Sequence, residues 1–140
     1  MSLMMRRRML MGQVVSVGKL FDIETARKET DSWRNIEYTI YDGAITITKA
    51  LYTWSSVYVY LDNCIQGKSY KISFSCSTER EEYPACGIKI DGENIRLGYA
   101  QDTEYSFECG ADVPILHLAF SNGNSQTIPV TYYDFVLEEI

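Results

Sequence analysis

From Asn35 to the C-terminus, apolar and polar residues alternate, so that every second side chain is hydrophobic. Alternation over roughly four to eight residues predicts a β-strand with one buried face. About nine segments follow this rule, and their apolar members are Ile36/Tyr38/Ile40, Ile45/Ile47, Val57/Val59/Leu61, Tyr70/Ile72/Phe74/Cys76, Ile88/Ile90, Ile95/Leu97, Tyr105/Phe107/Cys109, Leu116/Leu118/Phe120 and Tyr133/Phe135/Leu137.

Turn-forming residues separate these segments. Asp91-Gly92 is the strongest hairpin signal, because glycine tolerates the positive φ of a tight turn and strand-like segments flank it. Tyr41-Asp42-Gly43 and the polar stretches at 66–68, 110–112 and 121–125 also predict turns. The polar stretch 22–32 lacks an apolar stripe and predicts a helical turn or a loop. Together these signals predict an all-β fold, an antiparallel two-sheet β-sandwich of about nine strands.

The length of 140 residues, of which 46% are hydrophobic, predicts one domain over residues 13–140. Residues 1–12 contain all five methionines and three consecutive arginines. We interpret them as a flexible start or as a short peptide that docks into a neighbouring subunit. After the arginines only the three residues Met9–Met11 are apolar before Gly12, which is too short for a signal peptide or a membrane span. We therefore expect synthesis in the cytoplasm, no signal peptide and no membrane insertion.

Charge argues against a nucleic-acid partner. The chain has 13 basic and 19 acidic residues, and three of the basic ones are Arg6, Arg7 and Arg8. A phosphate backbone has to be met by clustered lysine and arginine, and the remaining chain offers no such excess.

The four cysteines, Cys64, Cys76, Cys86 and Cys109, contain no CxxC pair, and the chain has a single histidine. This pattern does not match a structural zinc site. Cys76 and Cys109 fall in apolar alternation, which favours reduced core cysteines. A disulfide framework is the alternative, and it requires an oxidising compartment.

Catalytic motifs are scarce. His117 is the single histidine and sits in the middle of a predicted strand, on its less apolar face. There is no Gly-x-Ser-x-Gly elbow and no phosphate-binding glycine loop. We therefore predict that the chain is not an enzyme. Cleavage of a glycan by a carboxylate pair is the least favoured alternative.

The chain has 11 tyrosines, 5 phenylalanines and 2 tryptophans, more aromatic rings than its predicted core needs. The rings predicted to lie outside the core include Trp33, Trp54, Tyr58, Tyr60 and Tyr132. Exposed rings can stack on sugars, so these five residues are the candidate ligand-binding set. The alternative is that they pack beneath a long loop or against a neighbouring subunit.

The segment Leu61 to Phe74, with its Gly67-Lys68-x-Tyr70 step into an apolar strand, resembles a hairpin of jelly-roll carbohydrate-binding modules. Tyr132 to Glu138 is similar to the closing strand of the same modules. The resemblance, which covers residues 20–140 with Trp54, implies a jelly-roll fold and a carbohydrate ligand. It also implies a structural calcium ion held by Glu24 or Asp22 together with Asp134. No other cofactor is expected.

The Met- and Arg-rich start followed by a small sandwich resembles tail- or baseplate-associated proteins of phages and prophages. That resemblance implies a virion protein, made in the cytoplasm and found outside the cell after lysis. Its partners would be a host carbohydrate or neighbouring virion subunits, including copies of itself. A purely structural virion subunit, using its aromatic rings for oligomer contacts, is the main alternative to a binding module.

Overall fold

The computed structural model describes residues 20–31, 35–121 and 126–140. Within these ranges the chain forms ten β-strands and no helix. The strands are β1 (Lys28–Glu29), β2 (Glu37–Tyr41), β3 (Ala44–Lys49), β4 (Ser55–Tyr60), β5 (Ser69–Thr78), β6 (Ala85–Ile90), β7 (Glu93–Tyr99), β8 (Asp102–Glu108), β9 (Ile115–Ser121) and β10 (Val130–Glu139).

The strands form two five-stranded sheets. The first sheet has the order β1-β4-β9-β6-β7, and the second has the order β2-β3-β10-β5-β8. All neighbouring strands are antiparallel. The predicted fold class, an antiparallel two-sheet jelly-roll sandwich, is confirmed.

The strand that the sequence did not predict is β1. Asp22 to Ala26 form a single turn, in which the Ala26 amide donates to the Asp22 carbonyl at 2.8 Å. The chain then pairs with β4, with Lys28 opposite Val59. The prediction of a helical turn or loop was therefore right for the turn and missed the strand. Pairing with a distant strand creates β1, and local sequence does not encode that partner.

The core lies between the inner faces of the two sheets. Its apolar residues come from alternate positions of the strands, as in Val57 and Val59 of β4 and Ile45 and Ile47 of β3, all of which are fully buried. Two buried hydroxyls, those of Ser55 and Ser121, bond to each other at 2.8 Å. Buried polar groups need such partners, because an unsatisfied one costs free energy.

Two tight hairpins follow the predicted turn signals. Asp42-Gly43 joins β2 to β3 and Asp91-Gly92 joins β6 to β7, with all four residues at positive φ. Consecutive positive φ values define the turn type that matches the twist of paired strands. The hairpin predicted at Asp91-Gly92 is confirmed.

Tyr132 was predicted to be exposed, and this prediction is wrong. Its side chain is 0% exposed, and its hydroxyl donates to the Ala119 carbonyl of the opposite sheet at 2.5 Å. The cause is a β-bulge in β10, where the register against β5 shifts between Tyr133 and Val136 and Asp134 has a φ of 57°. One extra residue reverses which side chains face inward, so the phase counted back from Phe135 fails at Tyr132.

All four cysteines are free thiols, and Cys76, Cys86 and Cys109 are buried. The predicted core positions of Cys76 and Cys109 are confirmed. Burial is the main reason that the pKa of the Cys64 and Cys76 thiols rises to about 12. These two thiols are therefore protonated at neutral pH and are poor nucleophiles.

Residues 1–12, predicted to be flexible or to dock, lie outside the described residues, so this prediction and the start of the domain at residue 13 stay predictions. In the part of the chain that the structure describes, no helix is long and apolar enough to cross a membrane.

We expect Tyr132→Phe to lower the free energy of unfolding by about 1–2 kcal/mol, because it removes one buried hydrogen bond and leaves the aromatic packing intact. Chemical denaturation followed by tryptophan fluorescence measures this change. Tyr133→Phe is the matched control, since Tyr133 lies on the other face of β10. Equal stabilities of the two variants would contradict this account of the bulge.

Candidate functional site

A hollow lies on the outer face of the first sheet. The outward-facing residues on its floor are small, namely Ser56, Ala85, Gly87 and Ala119. Larger side chains, among them Trp54, Arg96 and His117, surround them. The cavity has a volume of about 470 Å³, within the range of roughly 300–1,000 Å³ that is usual for small-molecule sites. The alternation that buries Val57 and Leu116 therefore leaves a depression outside.

Gly87 has a specific role in the floor of this hollow. A Cβ atom built on Gly87 would lie 2.9 Å from the carbonyl oxygen of Ile95, a distance that real Cβ contacts do not tolerate. The register of β6 against β7 also shifts between Cys86 and Gly87. The backbones approach too closely here for a side chain, which keeps the floor low.

Two further cavities adjoin the hollow on the same face. Trp54 and Arg96 line both the hollow and a cavity that reaches Tyr83 and Tyr99. Asn94 and His117 line both the hollow and a cavity on the opposite side. We call the three together the outer-face groove; its far ends are marked by Tyr99 and Tyr60.

Tyr58 and His117 form the centre of the groove. They are directly opposite each other in the pairing of β4 with β9, and their rings meet edge to face with centroids 4.8 Å apart. The Tyr58 hydroxyl donates to a carboxylate oxygen of Asp31 at 3.3 Å. Burial, and secondly the positive charge of Lys89, lower the pKa of His117. The imidazole is therefore neutral at pH 7.

Tyr60 is held at one end of the groove by charged neighbours. Its hydroxyl donates to Glu29 at 2.5 Å, and the Arg27 guanidinium carbon lies 3.7 Å from the ring centroid. Arg27 is in turn paired with Asp62 at 2.8 Å. The hydrogen bond to Glu29 is the main reason that the pKa of Tyr60 is raised. Arg27 already covers one face of this ring.

The structure brings together three of the five predicted ligand-binding residues. Trp54, Tyr58 and Tyr60 all line the outer-face groove, and Trp54 is 63% exposed. Tyr132 lies in the core, and Trp33 lies outside the described residues. Whether the three groove residues bind a ligand stays a prediction.

Sequence reasoning missed several residues of the groove. Tyr99 is 63% exposed and lines the same cavity as Trp54. Arg96 and Asn94 project from β7, and Arg80 enters from the segment after β5. The alternation of Ile95 and Leu97 with polar residues predicts that Asn94 and Arg96 lie on an outer face, and this was the only sign that they could belong to a site. Nothing in the sequence showed that this face adjoins Trp54.

Arg80 is fixed in place beneath one end of the groove. Its Nε donates to the Ile128 carbonyl at 2.9 Å and its Nη1 to the Phe120 carbonyl at 2.6 Å. Its guanidinium carbon lies 4.6 Å from the centroid of the Phe120 ring. Burial lowers its pKa, but an arginine stays charged at neutral pH. The site therefore contains a positive charge with little freedom to move.

A separate cleft of about 340 Å³ contains the acids predicted to bind calcium, and Asp22, Asp42 and Asp134 line it. Glu24 accepts a hydrogen bond from the Gly43 amide at 2.9 Å nearby. Among the described residues, no three His, Cys, Asp or Glu side chains are placed to hold a metal. Calcium takes about six to eight oxygen ligands. As they are placed, these residues do not fit calcium, and calcium binding stays a prediction.

Three solved structures share this architecture. The chain superposes on the CBM22-2 xylan-binding domain of Xyn10C from Paenibacillus barcinonensis with a TM-score of 0.56 and 14% identity, covering 86% of this chain and 99% of that one. The CBM22-1 domain of the same protein gives a TM-score of 0.53 and 14% identity, covering 81% and 85%.

The tandem CBM22-1-CBM22-2 structure from that organism gives a TM-score of 0.56 and 12% identity, covering 86% of this chain and 43% of the tandem chain. No protein-family model matches the sequence, and no curated protein matches it. At such low identity these similarities establish a shared fold, the sandwich of carbohydrate-binding modules.

We expect the free energy of unfolding to fall as the pH decreases from 7.5 to 5, with His117 as one cause. Its folded pKa is below the unfolded value of about 6.5, so the unfolded chain binds more protons in this range. The contribution of His117 is complete above the unfolded pKa and is lost as the pH falls through the folded pKa. His117→Gln should therefore show a flatter pH dependence in urea denaturation. Parallel curves for the two proteins would contradict this role.

Proposed function

We propose that the chain is a non-enzymatic module that binds a polysaccharide along the outer-face groove. The observation that carries this proposal is the grouping of Trp54, Tyr58 and Tyr60 with polar side chains along one groove. Ring faces stack on the C–H surfaces of sugars, while amide, imidazole and hydroxyl groups bond to sugar hydroxyls. Asn94, His117 and Ser56 are such groups, and they contribute to the same surface.

The shape of the groove favours a chain of sugars over a single one. The groove crosses β4, β9, β6 and β7, which spans about 14 Å at a strand spacing of roughly 4.8 Å. Aromatic rings stand at both ends, so an extended ligand contacts them together. The resemblance in fold to domains described as xylan-binding makes xylan the first ligand to test.

Two of the three carboxylates that line the groove support a binding role rather than catalysis. Glu29 and Asp31 both accept hydrogen bonds from tyrosine hydroxyls. Hydrolysis of a glycoside requires one carboxyl group that donates a proton and a second that acts as base or nucleophile. Acids engaged in holding tyrosine rings are poorly suited to either task.

We expect Trp54→Ala and Tyr58→Ala to weaken binding of xylan oligosaccharides at least fivefold, because one aromatic contact contributes about 1 kcal/mol. Isothermal titration calorimetry measures the dissociation constants. Tyr41→Ala is the matched control, since Tyr41 is 83% exposed and lies at the end of β2 in the second sheet. If xylan and every other glycan tested fail to bind the wild-type protein, the proposed function is wrong.

A second variant fills the hollow without removing a ring. Ser56→Phe should abolish binding, because Ser56 lies on the floor of the hollow. Thr39→Phe, at an exposed position of β2, should leave binding unchanged. Circular dichroism of both variants separates a blocked groove from a misfolded chain. Unchanged affinity of a folded Ser56→Phe protein would place the ligand elsewhere.

The wider setting stays a prediction. A tail-associated virion protein, released from the cytoplasm by lysis, is proposed from the composition of residues 1–12 alone. Oligomer contacts between virion subunits are the alternative use of the same rings. The identity of the neighbouring genes and the mass of the protein in solution test these two points.

A further inference from the structure

Charged side chains are unevenly distributed along the outer-face groove. The acids Glu29 and Asp31 lie at the Tyr60 end, together with one cation, Lys89. Two arginines, Arg80 and Arg96, lie at the Trp54 end, together with one carboxylate, Glu82. A ligand that runs the length of the groove therefore meets opposite net charges at its two ends.

Arg96 is available to bind a ligand. It is exposed on β7, and in the described part of the chain its side chain forms no hydrogen bond or ion pair. Arg80, by contrast, is held by two backbone carbonyls, and its Nη2 has no hydrogen-bond partner there. One guanidinium can move to meet a ligand, while the other supplies a fixed positive field.

Exposed rings stand beside these cations. Trp54 and Tyr99 are each 63% exposed and line the cavity that contains Arg96 and Arg80. One cavity is thus lined by two exposed rings and by the Arg96 guanidinium. Such a cavity matches a sugar that carries an anionic substituent. The planar guanidinium accepts a carboxylate through two parallel hydrogen bonds.

The whole chain has a net charge of −6, so the excess of cations at the Trp54 end differs in sign from the protein as a whole. A protein with an acidic surface repels polyanions in general, so an acidic ligand has to be recognised at a particular place. The Trp54 end of the groove has two cations against one carboxylate and is such a place.

Resting on the proposed function, we infer that the Trp54 end of the groove binds a uronic acid unit of a polysaccharide, with Arg96 contacting its carboxylate. Trp54 or Tyr99 stacks on the sugar ring. Arg80 contributes its fixed positive charge. A sulfate ester offers related chemistry, and the experiment separates the two anions.

The test compares dissociation constants for matched ligands by isothermal titration calorimetry. The probes are xylan oligosaccharides with and without a glucuronic acid branch, and dextran sulfate against dextran. The proteins are the wild type, Arg96→Gln, Arg96→Lys and a control, Lys49→Gln. Lys49 is exposed at the end of β3 in the second sheet, so its substitution makes the same charge change away from the groove.

We expect the wild type to bind the acidic xylan oligosaccharide about tenfold more tightly than the neutral one, because one hydrogen-bonded contact between charged groups provides about that difference in affinity. Arg96→Gln should remove this preference. Arg96→Lys should keep part of it, and Lys49→Gln all of it. Raising the salt concentration should weaken binding of the acidic ligand alone.

The remaining outcomes overturn the inference in distinguishable ways. Equal affinity for acidic and neutral xylan, or a preference that survives Arg96→Gln, overturns the uronate site and leaves the proposed function standing. Tight binding of dextran sulfate without a preference for the uronate overturns the choice of carboxylate. Absence of binding to every glycan overturns the inference and the proposed function together.

Discussion

Burial of one face of each strand is the constraint on which the groove depends. Val57 and Val59 of β4 and Leu116 of β9 are fully buried between the sheets. Because side chains alternate along a strand, their neighbours Tyr58 and His117 have to point to the outer face. The register then sets these two rings opposite each other. Core packing thus positions the centre of the groove without a dedicated loop.

The depth of the groove comes from small residues, and its rigidity comes from polar contacts. Ser56 and Gly87 leave room above the first sheet, and Gly87 is required by the close approach of β7. Tyr58 and Tyr60 are held through their hydroxyls by Asp31 and Glu29. Rings that are already fixed lose little freedom on binding, which favours affinity.

The fold was largely predictable from the sequence, because apolar alternation and Asp-Gly turns are local signals. The site was predictable in part. Tyr58 and Tyr60 followed from the same alternation, and Trp54 from its position beside a strand. Tyr132 was misplaced, because one additional residue in β10 reverses the phase and no local pattern marked it. Arg96 and Tyr99 were missed, because their proximity to Trp54 depends on the order of strands in the first sheet.

The bulge at Asp134 divides β10 into two blocks, and both blocks pack against Phe74. Upstream, Tyr132 packs against Phe74 and reaches the opposite sheet. Downstream, Phe135 packs against Phe21 and Phe74. Loss of the one extra residue would force a relative of this chain to exchange the two adjacent tyrosines between interior and solvent. An alignment with a relative that lacks this bulge therefore needs a one-residue gap at this point.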